Sequence, residues 1–145
     1  ISNYCPSGTT TSTGLYALFK IHGTYQTATD YSYALDNRST GGSYHEGTET
    51  GADYVKNIGG AGWQLSYEAS GSAVIRIDRP QDTNNIKIVE IQSGHISMGN
   101  DMRLQSGIGG WVGSNREKAL TAIKFLPEDN LIGRGIFSLY GLTSP

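Results

Sequence analysis

Short runs in which apolar residues occupy every second position, each bounded by turn residues, restrict the fold of this chain more than any other feature. In the clearest run, residues 15–22, the side chains of Leu15, Ala17, Phe19 and Ile21 share one side of an extended chain. The same spacing recurs in the runs 31–35, 63–67, 73–77 and 119–125. Because side chains in a β-strand point alternately to opposite faces, this period of two predicts strands with one buried face.

Other segments fit a strand less regularly. Residues 86–91 carry apolar groups on both faces, which predicts a central strand that is buried on both sides. Further strand patterns occupy 52–58, 97–105, 110–113 and 135–142. The polar, glycine-containing residues 37–44 predict a long loop, and residues 115–120 are too few for a stable helix and predict a single turn.

About eight to ten short strands, with turn signals every ~8–12 residues, are typical of a sandwich or barrel. We therefore predict an all-β fold, namely an antiparallel two-sheet β-sandwich of jelly-roll-like type. A chain of 145 residues fits one such domain. We assign residues 14–145 to the β-sandwich domain and residues 1–13, which are rich in Ser and Thr, to an N-terminal arm or linker.

The charge and cysteine content exclude several classes of protein. The formal net charge is −2, with an isoelectric point near 5.9, so the chain lacks the surplus of Lys and Arg that binds phosphates, and we expect no nucleic-acid partner. Its apolar runs are far shorter than the ~18 residues of a membrane span, so we expect no membrane insertion. The single cysteine, Cys5, has no partner for an internal disulfide.

The C-terminal run LTAIKFLPEDNLIGRGIFSLYGL, residues 120–142, resembles the closing strands of β-sandwich domains in bacteriophage tail fibres, tail spikes and related virion proteins. Those domains end in an apolar strand, a short polar turn, and then Gly, an aliphatic or aromatic strand and a terminal Tyr-Gly. The matching residues are Ile123, Phe125, Gly135, Phe137, Leu139, Tyr140 and Gly141. The runs TDYSYALDN (29–37) and AVIRIDRP (73–80) are similar to earlier parts of such domains, whereas the turn at 127–134 is more charged than theirs.

This resemblance implies a fold and a location on the virion, on the tail or the capsid surface. It implies backbone freedom at Gly135 and Gly141 and core positions for Phe137 and Leu139, and it transfers no catalytic residue. It also implies a homo-oligomer, as a trimer, that contacts other virion proteins and a cell-surface glycan or protein receptor.

The sequence offers little chemistry for catalysis or for metal binding. The histidines His22, His45 and His95 lie on different predicted elements and lack the spacing of zinc ligands, so we predict no metal site. Serines are numerous, but no Gly-x-Ser-x-Gly motif is present. We therefore predict a protein that is not an enzyme and needs no cofactor.

Aromatic and polar residues in predicted loops are the candidates for ligand binding. Sugar rings bind through their apolar faces to aromatic rings, while Asn, Asp, Glu or Arg side chains bind the hydroxyl groups. The candidates are Tyr25, Tyr44, His45, Glu46 and Trp111. In an antiparallel sandwich, however, most Tyr and Trp side chains cover the edges of the core instead.

Three hypotheses follow. The first is a tail-fibre or tail-spike domain for recognition of a host-surface glycan and for subunit assembly, and it predicts exposed loop aromatics gathered at one tip. The second is a purely structural virion protein, such as a capsid decoration or tail component, and it predicts that exposed apolar residues meet neighbouring subunits. The third is a carbohydrate-binding module of an extracellular enzyme, which predicts a monomer.

Overall fold

The computed structural model describes residues 1–7, 15–42, 44–55, 71–96, 101–127 and 131–141. These residues form strands, turns and loops, without a helix. The described strands are β1 (Ser2–Ser7), β2 (Leu15–Ile21), β3 (Thr24–Tyr25), β4 (Tyr31–Ser39), β5 (Tyr44–Ala52), β6 (Ser72–Ile77), β7 (Ile88–Ile96), β8 (Met102–Trp111), β9 (Leu120–Pro127) and β10 (Leu131–Ile136). The prediction of an all-β fold with about eight to ten short strands is confirmed.

The strands form two antiparallel sheets that pack against each other, which confirms the predicted sandwich. One sheet has three strands in the order β3-β2-β9, and the other has five in the order β5-β4-β8-β7-β6. A separate pair is formed by β1 and β10. The central strand of the larger sheet is therefore β8, which pairs with β4 on one side and with β7 on the other.

Aromatic rings connect the two sheets at the centre of the core. The ring of Phe19 on β2 meets the ring of Tyr31 on β4 edge-on, with 5.6 Å between centroids, and Tyr31 meets Trp111 on β8 at 5.0 Å. The Tyr31 hydroxyl accepts a hydrogen bond from the backbone N–H of Phe19 (2.8 Å) and donates one to the carbonyl of Gln26 (3.0 Å). The buried phenol therefore has both its donor and its acceptor satisfied.

A second connection runs through Val55, which is completely buried. Its backbone exchanges two hydrogen bonds with Ala17 on β2, at 3.0 and 3.1 Å. On its other side its methyl groups lie over Gly109 of β8, where a Cβ atom would be only 2.5 Å from Cγ1 of Val55. The sheets can approach at this point because residue 109 has no side chain.

The N-terminal segment, expected to be an arm or linker, contains strand β1. Its residues pair antiparallel with β10, so that Cys5 lies opposite Arg134. Ile1 also exchanges backbone hydrogen bonds with Ala73 of β6, at 2.9 and 3.0 Å. The start of the chain thus extends the edge of the five-stranded sheet at that point.

The C-terminal strand lies earlier than the sequence pattern predicts. We expected a strand at 135–142, but β10 ends at Ile136, and residues 137–141 are outside the strands. The expectation that Phe137 and Leu139 are core residues is wrong, since Phe137 is 41% exposed and Leu139 is 94% exposed. After the chain leaves β10, Phe137 still contacts the ring of Phe125 at 5.5 Å, but the following side chains have no strand to hold them against the core.

Two further expectations about loops and burial are corrected. The predicted loop at 37–44 is a tight hairpin, because β4 continues to Ser39 and β5 begins at Tyr44. The predicted double burial at 86–91 is wrong, because only one face of β7 is buried and Ile88 and Glu90 are exposed. Residues 114–118 form the expected turn before β9. The strand predicted at 63–67 lies outside the described residues.

Candidate functional site

The structure separates the five residues that were predicted to bind a ligand. Tyr25 lies on β3 in the three-stranded sheet, where the ammonium group of Lys20 is 5.6 Å from its ring centroid. Tyr44, His45 and Glu46 lie together at the start of β5, on the edge of the five-stranded sheet. The expectation of one aromatic tip is therefore not met, and the residues on β5 are on a strand rather than in a loop.

Trp111 was expected in an exposed loop, and this location is wrong. It is the last residue of β8 and only 1% exposed. Its indole N–H donates to the carbonyl of Ser114 at 2.8 Å, so the polar end of the ring is satisfied inside the protein. Its apolar body packs against Tyr31, and the residue belongs to the core.

Tyr44 and Glu46 form a small polar cluster with side chains of β4. The Tyr44 hydroxyl donates to Oε1 of Glu46 at 2.8 Å, and the guanidinium of Arg38 lies 5.7 Å from the Tyr44 ring centroid. Arg38 is also 3.5 Å from Asp36. The hydrogen bond to the Glu46 carboxylate, together with the nearby negative charge, raises the pKa of Tyr44 to about 12. The phenol therefore stays protonated and remains a donor throughout the physiological pH range.

This cluster is one margin of a larger surface, the outer face, which we define as the side of the five-stranded sheet that points away from the other sheet. The strand registers place its residues in cross-strand rows. The rows are Tyr44, Arg38, Leu104, Gly94 and Ser72; Glu46, Asp36, Ser106, Gln92 and Val74; and Thr48, Ala34, Ile108, Glu90 and Arg76. Most of these residues are exposed, so the described part of the chain leaves this face open to solvent.

On β8, the central strand of the outer face, aliphatic side chains point away from the core instead of toward it. Met102, Leu104 and Ile108, which we call the β8 stripe, point outward and are 64%, 60% and 50% exposed. The intervening positions that point toward the core include Gln105, which is buried, and Gly109. Val74 and Ile88 on the neighbouring strands are also exposed and extend the apolar surface. A strand with one face in the core ordinarily places its aliphatic residues on that face, so this arrangement leaves an exposed apolar stripe on the outer face.

A groove of about 880 Å³ lies where the outer face meets two loops, and we call it the arginine groove. Its lining includes three arginines and three acids, namely Arg76, Arg79, Arg116, Asp78, Glu90 and Glu117. Ile86 and Ile88 contribute apolar surface. Arg76 pairs with Glu90 at 3.2 Å, and Arg79 lies 3.7 Å from Asp78. The charges of the lining balance, so the groove has no strong preference for an anion or a cation.

The loops that line the groove hold unusual backbone conformations. Arg79 and Asn115 have positive φ angles of 44° and 58°. The loop that follows Arg79 is fixed by Asp82, which accepts hydrogen bonds from the backbone N–H of Asn84 (2.7 Å) and the side chain of Asn85 (2.6 Å). These hydrogen bonds lower the pKa of the Asp82 carboxyl. The positive φ of Arg79 adds backbone strain to this loop.

A polar row, which no sequence pattern predicted, is buried on the inner face of the larger sheet. Ser93 of β7 lies opposite Gln105 of β8, and both are buried. Among the described residues, the Ser93 hydroxyl, the Gln105 carbonyl oxygen and Nε of the neighbouring Arg103 have no hydrogen-bond partner. Such groups weaken the core at that end. No short-range signal identifies the row, because its members come from two strands and are brought together by their pairing.

The described residues contain neither a cluster of three His, Cys, Asp or Glu side chains suited to a metal ion nor a helix long and apolar enough to cross a membrane. Comparisons with protein-family models, with curated proteins and with solved structures found no match to this chain.

Proposed function

We propose that this chain is a non-enzymatic module of a bacteriophage virion, of the tail-fibre or tail-spike type, whose outer face contacts a neighbouring subunit. The virion setting comes from the sequence resemblance of residues 120–142 to the closing strands of such domains, although Phe137 and Leu139 do not take the core positions that the resemblance implies. The contact comes from one observation, the exposed β8 stripe on the central strand of the larger sheet. Both lie within the same sandwich domain.

The distribution of exposed residues favours assembly over recognition by loop aromatics. The aromatic candidates are divided between a buried position, one sheet and the edge of the other. Five exposed aliphatic residues, by contrast, share the outer face: Val74, Ile88, Met102, Leu104 and Ile108. Each stripe side chain is already partly covered in the single chain, so covering the rest of it stabilises an assembly by roughly 1–2 kcal/mol, before the entropy of association is subtracted.

Incorporation into phage particles tests this proposal. Purified particles of the phage that encodes the chain are analysed by mass spectrometry, and the chain is located on them with a labelled antibody. We expect the chain on the tail or the capsid surface, and its absence from particles that are complete and infectious would refute the proposal.

A pair of variants tests the role of the outer face in the same assay. Leu104→Asp introduces a charge into the β8 stripe, whereas Leu139→Asp introduces the same charge at an exposed leucine outside this face. We expect Leu104→Asp to reduce incorporation and Leu139→Asp to leave it unchanged. Equal behaviour of the two variants would show that the outer face is not the contact.

A second candidate function, recognition of a host-surface glycan, is favoured by the arginine groove. Its balanced guanidinium and carboxylate groups offer donors and acceptors side by side, and a sugar hydroxyl can use both. Its volume lies within the ~300–1,000 Å³ of ordinary ligand sites. Exposed Ile86 and Ile88 give the C–H face of a neutral sugar ring an apolar surface.

Two matched arginines test this candidate on a glycan array. Arg79 lies in the groove and Arg38 lies beside Tyr44, and each side chain is 70% exposed and near an aspartate. We expect Arg79→Gln to abolish binding of a neutral oligosaccharide and Arg38→Gln to preserve it. The reverse result would move the site to the Tyr44 cluster, and the absence of binding to any glycan would refute the candidate.

A further inference from the structure

We propose that the neighbour on the outer face is a second copy of this chain, bound through the same face, so that two β8 stripes pack against each other. This inference rests on the proposed function only in its use of the outer face as a contact. It adds the identity of the partner and the symmetry of the contact. Because the same patch is used on both copies, the assembly closes as a dimer with two-fold symmetry, in place of the trimer that the resemblance of residues 120–142 implies.

The size of the outer face matches what a stable dimer needs. Five strands spaced about 4.8 Å apart give a width of roughly 24 Å; four of them have nine or ten residues and a length of roughly 30 Å, and β6, with six residues, has a length of roughly 20 Å. The flat area is therefore about 700 Å², close to the ~800 Å² that each partner contributes to an interface of standard size. A contact limited to the three stripe residues would be much smaller.

The charges of the outer face are arranged so that one copy can accept another. The apolar β8 stripe runs between two flanks, and each flank carries both signs. On one side Arg38 lies beside Asp36, and on the other side Arg76 pairs with Glu90. Two copies can therefore bring their stripes together without placing only like charges against each other, which a face of a single sign could not do.

The edges of the sheet are less suited than its face to bind another copy. Among the described strands, β5 lies at the edge of the sheet; it carries the carboxylates of Glu46 and Glu49 and is interrupted by a bulge at Gly51, whose φ is 75°. Charged residues and bulges on edge strands prevent the addition of a further strand. At the opposite edge, Ala73 of β6 already bonds to Ile1. Because β8 is the central strand, a second copy covers its stripe by packing on the face of the sheet and not by adding to an edge.

Sedimentation equilibrium of the purified full chain over a range of concentrations tests the inference. We expect a dimer for the wild-type chain and for Leu139→Asp. In Leu104→Asp and, independently, Ile108→Asp, we expect dissociation constants at least about tenfold higher, because a charge replaces an aliphatic side chain that the dimer buries. Both residues are at least half exposed in the single chain, and circular dichroism of each variant should show an unchanged sandwich.

The possible outcomes separate this inference from the proposed function. A monomer, a trimer, or a dimer that is insensitive to both stripe variants would overturn the inference. If the chain is monomeric but Leu104→Asp is still lost from phage particles, the partner is another virion protein, and the proposed function survives without this inference. If the wild-type chain is a stripe-dependent dimer that is absent from particles, this inference stands and the proposed function fails.

Discussion

Replacing Gly109 by alanine should destabilise the sandwich because the two sheets touch at this residue. The added Cβ would lie 2.5 and 3.1 Å from the two methyl carbons of Val55 and 3.3 Å from Cβ of Tyr33, where ordinary carbon contacts are about 3.5–4.0 Å. Val55 cannot easily retreat, because its backbone is bonded to Ala17 in both directions. Overpacking of this kind costs about 1–3 kcal/mol. In a domain of this size the melting temperature should fall by about 2–12 °C.

The matched control is Gly47→Ala on β5. Gly47 is also a strand glycine, but a Cβ there would meet nothing within 4 Å. Its stability should change by less than about 0.5 kcal/mol, or rise slightly because alanine restricts the unfolded chain. Both variants are compared with the wild-type chain by urea unfolding followed by circular dichroism. A Gly109→Ala chain as stable as the Gly47→Ala chain would refute the packing of Val55 onto β8.

A double-mutant cycle makes the same test more specific. Val55→Ala alone should destabilise the chain by leaving a cavity between the sheets. The double variant Val55→Ala/Gly109→Ala should lose less stability than the sum of the two single changes, because the methyl group added at 109 occupies the space that Val55→Ala leaves. The coupling free energy should be about 0.5–3 kcal/mol. Additivity within the error of the measurement would mean that the two residues are not in contact.

Three further predictions concern tyrosines. Tyr31→Phe should cost about 1–3 kcal/mol in urea unfolding, because it leaves the buried N–H of Phe19 without its acceptor, and an unchanged stability would contradict the hydrogen bond. Burial raises the pKa of Tyr31 from 10.0 to about 12, so the phenol loses its proton at lower pH in the unfolded chain than in the folded one. The contribution of Tyr31 to the free energy of unfolding should therefore be fully present below pH 10 and should decline between pH 10 and 12. The difference in stability between the wild-type chain and Tyr31→Phe should shrink over that interval, and a constant difference would argue against the shift. Glu46→Gln should lower the pKa of Tyr44 from about 12 toward 10.0 in an ultraviolet titration of the phenols, whereas Glu90→Gln, on the opposite flank of the outer face, should leave it unchanged.

Strands with strong alternation could be predicted from the sequence, because their pairing and burial follow the local pattern. The predictions for β2, β6 and β9 agree with the structure to within a few residues. β5 was missed because neither of its faces is apolar, and its glycines and glutamates are typical of loops. It is a strand because β4 provides the ladder with which it pairs.

The position of the C-terminal strand could not be predicted, because its partner lies at the other end of the chain. The residues from 131 to 142 suit an extended conformation almost throughout. What selects Leu131–Ile136 is pairing with β1, in which Ser7 lies opposite Leu131 and Ser2 lies opposite Ile136. A contact between segments so far apart in sequence leaves no local pattern, and this also explains why Leu139 was wrongly assigned to the core.

The β8 stripe was not predicted, because the sequence pattern of β8 does not show which of its two faces is buried. Its aliphatic residues suggest an inward-facing stripe, and a slip of one residue would place Ile108 inside. The structure shows why this does not happen. A Cβ at Gly107 would clash with the carbonyl of Ala34 and the side chain of Leu35, and a Cβ at Gly109 would clash with Val55.

These two glycines therefore fix the register of β8, since the core has no room for a side chain at either position. With the register fixed, Leu104 and Ile108 must point outward, and their exposure follows from the way the core is built. Replacing Ile108 by threonine should accordingly leave the unfolding free energy of the single chain within about 0.5 kcal/mol of the wild-type value, while weakening association. A large loss of stability in the monomer would mean that Ile108 belongs to the core, and a contact of the outer face through the β8 stripe would then be refuted.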